Sequence, residues 1–220
     1  MKRSIKIVID ILMFVLFLYL MGYQAGRSSL YSHGVLGATL FMLFVLHHLL
    51  NLSWYRALTK GNYPFVRKLF IAIDFLFLAD MIVMAASSIM LAEMIFPISL
   101  VHPSQLGRTL HVASTAWGFF LMALHVGLHT HGALFRLERK LNKFPLCYCV
   151  IYCVLICGAI AACVHSKIWG KMLLLVQWQE MYSYVLFYAE YLVMVAGLCV
   201  LVHLIMRTSG LYGAESSYIR

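Results

Sequence analysis

Charge is what this chain has least of. Only 11% of its 220 residues are Asp, Glu, Lys or Arg, eight of them acidic, and only four residues are proline. A soluble domain carries about a quarter charged and about half apolar residues. At 63% hydrophobic and a mean hydropathy of +0.88, the composition excludes an ordinary water-soluble fold and describes an integral membrane protein. No Walker loop, dinucleotide fingerprint or nucleophile elbow occurs, so nothing in the sequence points to nucleotide or serine-hydrolase chemistry. No Cys-x-x-Cys-His occurs, so covalent c-type haem is unsupported. Of the six cysteines, Cys149, Cys153 and Cys157 follow four-residue steps and read as small thiols on one helix face.

Six apolar runs are long enough to span a bilayer: about Ile5–Tyr23, Tyr31–Trp54, Val66–Ala92, Arg108–Gly132, Leu146–His165 and Glu180–Met206. The predicted fold class is all-α, a polytopic six-helix membrane bundle, with no room for a soluble catalytic domain. The first run follows Lys2, Arg3 and Lys6 like a signal peptide, but its full spanning length marks it as a helix of the mature protein.

The net charge of +9 reads as topology rather than as a nucleic-acid surface. Lys2, Arg3, Lys6, Arg56, Lys60, Arg67, Lys68, Arg136, Arg139, Lys140, Lys143, Arg207 and Arg220 fall on one side of the six-run arrangement. Only Arg27, Arg108, Lys167 and Lys171 fall on the other. The positive-inside rule then places both termini in the cytoplasm.

The histidines carry the chemistry. His33 and His47 lie fourteen residues apart in one run, and His111 and His125 fourteen apart in another. Fourteen helical residues rise about 21 Å and turn almost four full times, so each pair shares a face and nearly spans a core about 30 Å thick. An internal repeat joins the two runs. Ile7–Leu12 matches Ile71–Leu76, including Asp10 with Asp74, and an offset of 78 aligns His33 with His111 and His47 with His125. Such parallel repeats bring equivalent helices together with their histidines at equal depth. The expectation is two stacked bis-histidine sites for haem b, an outer one from His33 and His111 and an inner one from His47 and His125.

His48 and His129 sit within reach of the same faces and remain alternatives to His47 and His125. The repeat favours the latter pair, leaving His48 and His129 as donors near the cofactor, propionate partners or part of a quinone pocket. Gly118 lies midway between His111 and His125, where a missing side chain makes room for a macrocycle or for ordinary helix packing. Arg27 and Arg108, near the outer histidines, and Arg56, near the inner ones, are candidate propionate partners or interfacial anchors. Asp10, Asp74, Asp80 and Glu190 need partners within the membrane and can relay protons or hold the hairpins together. His131 reads as interfacial; His102, His165 and His203 stand singly.

The first 135 or so residues resemble a family of uncharacterised bacterial four-helix membrane proteins. The resemblance rests on Lys6–Leu20, His33-Gly-Val-Leu-Gly37, Leu46-His-His-Leu-Leu50 with Trp54-Tyr55, Arg108-Thr-Leu-His111 with Trp117-Gly118-Phe119, and Leu124-His-Val-Gly-Leu-His129. That family is regarded as haem-binding and related to the cytochrome b subunits of formate dehydrogenases. The resemblance implies a four-helix di-haem core over 1–140, an extracytoplasmic redox partner of the flavinylated kind, a possible quinone and a bacterial cytoplasmic membrane. It leaves 141–220 as an additional two-helix hairpin with a short tail. Two rivals fit the sequence less well: a metal or proton transporter using the intramembrane histidines and acids, and a non-redox anchor subunit.

Overall fold

The computed structural model describes residues 2–23, 29–92, 103–141, 145–175 and 182–208. Every regular element among them is helical: α1 (Lys2–Met21), α2 (Leu30–Leu50), α3 (Leu52–Ala57), α4 (Phe65–Leu91), α5 (Gln105–Lys140), α6 (Pro145–His165), α7 (Ile168–Met172) and α8 (Tyr184–Thr208). Six of these, all but the short α3 and α7, are long and apolar enough to cross a membrane. The chain is a multi-pass helical membrane protein. Large apolar side chains such as Ile11, Met42, Leu76, Val154 and Val185 stand exposed on its helices, the surface that lipid tails cover.

The described residues form two units, one drawn from Met1–Asn62 and Ala85–Arg108, the other from Tyr63–Met84, Thr109–Trp178 and Tyr182–Arg220. In the first unit α1 and α2 run antiparallel. The start of α1 and the end of α2 are joined by Lys6 Nζ donating to Asn51 Oδ1 at 2.9 Å. Asn51 also ends α2, its backbone N–H bonding the carbonyls of His47 and His48 and its side-chain amide donating to the His47 carbonyl at 2.8 Å. The second apolar run therefore breaks at Asn51 into α2 and the short α3 instead of continuing to Trp54. The chain leaves α3 through Gly61, at φ 76°, a left-handed conformation that glycine adopts without strain.

In the second unit α5 and α8 supply most of the buried core, including Ala116, Phe119, Ala123 and Leu128 from α5 and Phe187, Tyr191, Met194 and Met206 from α8. The helices run parallel, as successive contacts show: Phe119 with Tyr191, Ala123 with Cys199 and Gly127 with Val202. Val66 of α4 joins Leu128, Val202 and Met206 in one apolar cluster, with Phe70, Ile73 and Leu124 around it. Helix α5 outruns the fourth apolar run by eight residues, continuing past Gly132 to Lys140. At 36 residues it is about 54 Å long, well beyond the bilayer core. The added turns are charged, which ends the apolar pattern, yet Glu138 is buried against α8 and holds them in place.

Helices α6 and α8 pack antiparallel at close range. A Cβ at Gly197 would lie 2.5 Å from the Ala159 Cβ and 2.7 Å from the Leu155 carbonyl oxygen, so only glycine admits this approach. Gly197→Leu is expected to force the helices apart and cost about 1–3 kcal/mol, read as a fall in the melting temperature of the detergent-solubilised protein. Gly37→Ala, with nothing within 4 Å of its Cβ position, is the neutral control.

Helix α7 caps the opposite end of α6 and is tied to α5 by Trp117 Nε1 donating to the Met172 carbonyl at 3.1 Å. Burial pushes the Lys171 ammonium down from about 10.5 to about 8. The unfolded chain holds this proton between those values while the folded chain has released it, so the group favours folding increasingly as pH rises from about 8 to about 10.5. The melting temperature of the native chain should therefore gain on that of Lys171→Met across that window; a constant difference would contradict the burial of the ammonium.

Candidate functional site

Each unit contains the same polar device. In the first, Asp10 on α1 faces His47 on α2, and the Nδ1–H of His47 donates to Asp10 Oδ1 at 2.7 Å. In the second, Asp74 on α4 faces His125 on α5, and the Nδ1–H of His125 donates to Asp74 Oδ1, again at 2.7 Å. These four residues occupy equivalent positions of the sequence repeat. The partners are 37 residues apart in one hairpin and 51 in the other, so the shared bond reflects shared helix register and not shared loop length. A carboxylate on Nδ1 fixes the tautomer and leaves the Nε2 lone pair to act as a ligand.

The sequence leaves Asp10 and Asp74 either to relay protons or to hold the hairpins together; in the structure each bonds to the histidine of its own hairpin. Burial differs between the pairs: side-chain exposure is 23% for His47 and 50% for Asp10, against 27% for His125 and 16% for Asp74. The first pair therefore presents more of its polar surface than the second.

The neighbouring histidines are arranged differently. His48 Nδ1 lies 2.6 Å from the Tyr55 hydroxyl, and its ring meets Phe44 edge-on at 4.3 Å. His129 packs edge-on against Phe70, with its ring 4.5 Å from that of His125. Donor atoms of Asp74, His125 and His129 all lie within 4.8 Å of one another, which is close enough for a common metal ion. His33 belongs to the first unit, its ring 4.7 Å from that of Tyr23. His111 belongs to the second and lies on α5, where its carbonyl accepts the Ser114 hydroxyl at 3.2 Å.

Arg108 is half-buried near the start of α5, its N–H bonded to the Ser104 carbonyl, and Arg56 is exposed on α3. Gly118 is buried within α5. Arg27 and His102 lie outside the described residues. Two expectations change. His165 and His203 do not stand singly: His165 Nδ1 lies 2.6 Å from Glu190 Oε1, with Tyr182 donating to Oε2 of the same carboxylate at 3.0 Å, and His203 Nε2 lies 2.9 Å from Glu138 Oε1. His131 is buried, only 1% exposed, its ring 6.5 Å from that of His203. Glu138 draws no attention in the sequence, where it lies in a charged stretch after an apolar run. A single acid beside Arg136, Arg139 and Lys140 carries no signal of the histidine it meets 65 residues later.

Comparison with family models, with curated proteins and with solved structures yields no match.

Proposed function

We propose that the chain is a di-haem b-type cytochrome that carries electrons across a bacterial cytoplasmic membrane, with both termini in the cytoplasm. The observation that supports this best is the duplicated aspartate–histidine bond. Two intramembrane imidazoles at repeat-equivalent positions each carry a carboxylate on Nδ1 at 2.7 Å, the arrangement that orients a histidine to ligate through Nε2 and raises its basicity. Isolated polar groups are costly at such depth, and a pair of them retained twice argues for use.

In this reading His47 and His125 would hold the inner haem, and His33 and His111 would hold the outer one. When bound, haem would supply reversible one-electron Fe(III)/Fe(II) exchange, and ligation by two histidines would favour electron transfer over oxygen chemistry. The chain's own residues do the rest. Asp10 and Asp74 keep the Nδ1 protons in place and stop the rings from turning. Arg27, Arg108 and Arg56 would balance the haem propionates, and His48, whose Nδ1 lies 2.6 Å from the Tyr55 hydroxyl, and His129 would stand near the inner haem. Gly118 leaves space on α5 between the two levels. The donor is a quinol or a cytoplasmic-side protein; the acceptor is an extracytoplasmic redox protein of the flavinylated class. The reading is tested by oxidised and dithionite-reduced visible spectra of the purified chain: sharp α and β bands of a six-coordinate b haem are expected, and a featureless reduced-minus-oxidised difference after expression with ample haem would reject it.

A second reading is favoured by the approach of Asp74, His125 and His129 to within 4.8 Å. Two imidazoles and a carboxylate are a common ligand set for a divalent ion such as zinc, and a site of that kind in the membrane would make the chain a metal transporter. The bond between Asp74 Oδ1 and His125 Nδ1 counts against it, because it engages two of the three groups with each other. This reading predicts bound metal without a chromophore.

A further inference from the structure

At one end of the second unit the first turn of α4, the last turns of α5, the start of α6 and the end of α8 come together. Val66 packs with Leu128, Val202 and Met206, Phe70 meets His129 edge-on, and Arg207 of α8 bonds both Glu138 of α5 and Tyr148 of α6. The exposed charge at this end has one sign. Among the described residues Glu138 is the one acid here, and it is buried, its carboxylate taken up by His203 and Arg207. Lys68, Arg136, Arg139 and Lys140 stand exposed, and Arg67 lies over the Tyr63 ring at 4.2 Å.

Membrane topology asks that cations lie on one side of the bundle, not that they share a face. Arg136, Arg139 and Lys140 are spaced i, i+3 and i+4, which sets all three on one face of α5 while Glu138 turns inward. Like charges at that spacing repel. The dipole at the end of α5 favours cations there, but in the first turn of α4 it opposes Lys68. The arrangement is unfavourable until an anion approaches it. Apolar side chains are interleaved with these cations: Phe65 beside the start of α4, Leu137 next to Arg136, and Leu146 at the start of α6 are all exposed. A soluble acidic surface would match the charges and leave these three against polar groups. A phospholipid matches both, with a phosphate for the cations and an acyl chain for the apolar residues, and long Lys and Arg side chains reach from one level to the other.

We propose that this end of the second unit is a binding surface for anionic phospholipids, with Lys68, Arg136, Arg139 and Lys140 on the headgroup phosphates and Phe65, Leu137 and Leu146 against the acyl chains. Basic clusters of this size beside membrane helices attract acidic headgroups, and each cation near the surface adds to the attraction. Glu138 is a positioning residue. Its burial against α8 carries α5 past Gly132 to Lys140 and so presents Arg136, Arg139 and Lys140 on a fixed helical face. The contacts are ionic and apolar, with no covalent step. Nothing in this depends on what His47 or His125 binds.

The test is native mass spectrometry of the detergent-solubilised full chain, titrated with phosphatidylglycerol and, separately, with phosphatidylcholine of the same acyl chains. The native chain is expected to bind phosphatidylglycerol at lower lipid concentration, and the difference should shrink as salt is raised. An Arg136→Gln, Arg139→Gln, Lys140→Gln variant should lose about tenfold or more in phosphatidylglycerol binding while its phosphatidylcholine binding stays the same. Arg136→Lys with Arg139→Lys, which keeps the charge, should retain the preference. Should the neutralised variant fail to fold, Lys68→Gln with Arg139→Gln takes its place and is read in the same way. Equal binding of the two lipids by the native chain, or an undiminished preference in the neutralised variant, would overturn the proposal. So would tight binding of poly-glutamate with no preference between the lipids, which would assign the surface to an acidic protein.

Discussion

A His47→Ala, His125→Ala double variant is expected to bind one haem per chain in place of two, keeping the outer site and losing the inner one. If these two rings hold the iron, their removal would leave it no protein ligand, so the loss should be complete and not graded. The neighbouring residues make sharp controls. His48 Nδ1 meets the Tyr55 hydroxyl at 2.6 Å, a neutral partner where His47 has a carboxylate. Beside His129, the Asp74 carboxylate is committed to His125 Nδ1 at 2.7 Å, so it orients the latter ring. A His48→Ala, His129→Ala variant should therefore retain both haems, as read by pyridine haemochrome against protein concentration. The opposite result, inner haem lost with His48 and His129 and kept without His47 and His125, would transfer the ligand roles to the alternative pair.

The aspartates provide the second large effect. Asp10→Ala and Asp74→Ala leave every proposed ligand in place but remove the acceptor that fixes its tautomer. Loss of such a partner typically weakens metal binding by about 10–100-fold. Each variant should show haem that is lost on dilution or on competition with apomyoglobin far faster than in the native chain. The two are also expected to differ. Asp74 is 16% exposed and Asp10 50%, so deleting Asp74 removes a bond from the drier environment and should have the greater effect.

The helices are legible in the sequence because a spanning helix needs about 20 apolar residues and nothing else so long is required of a soluble one. Their ends are less so. The second run is cut at Asn51, whose side chain caps α2 by bonding the His47 carbonyl, and a polar residue within an apolar run does not announce that role. The fourth continues through Ala133–Lys140 because Glu138 is buried against His203 and Arg207, and a charged stretch reads as solvent until its partner is known. The same limit applies to the site. Asp10, Asp74, His47 and His125 each stand out as polar residues in the membrane, and the repeat aligns them, yet which acid meets which histidine depends on the register between helices. Packing sets that register, through contacts such as Lys6 with Asn51 in one hairpin and Val66 with Leu128 in the other, and neither contact has a sequence pattern of its own.

Metal and porphyrin content measured on one purified preparation tests the central claim most directly. The account predicts about two irons and two protoporphyrins per chain, with no stoichiometric zinc. A chain holding one divalent ion and no porphyrin would contradict it and would assign Asp74, His125 and His129 to that ion.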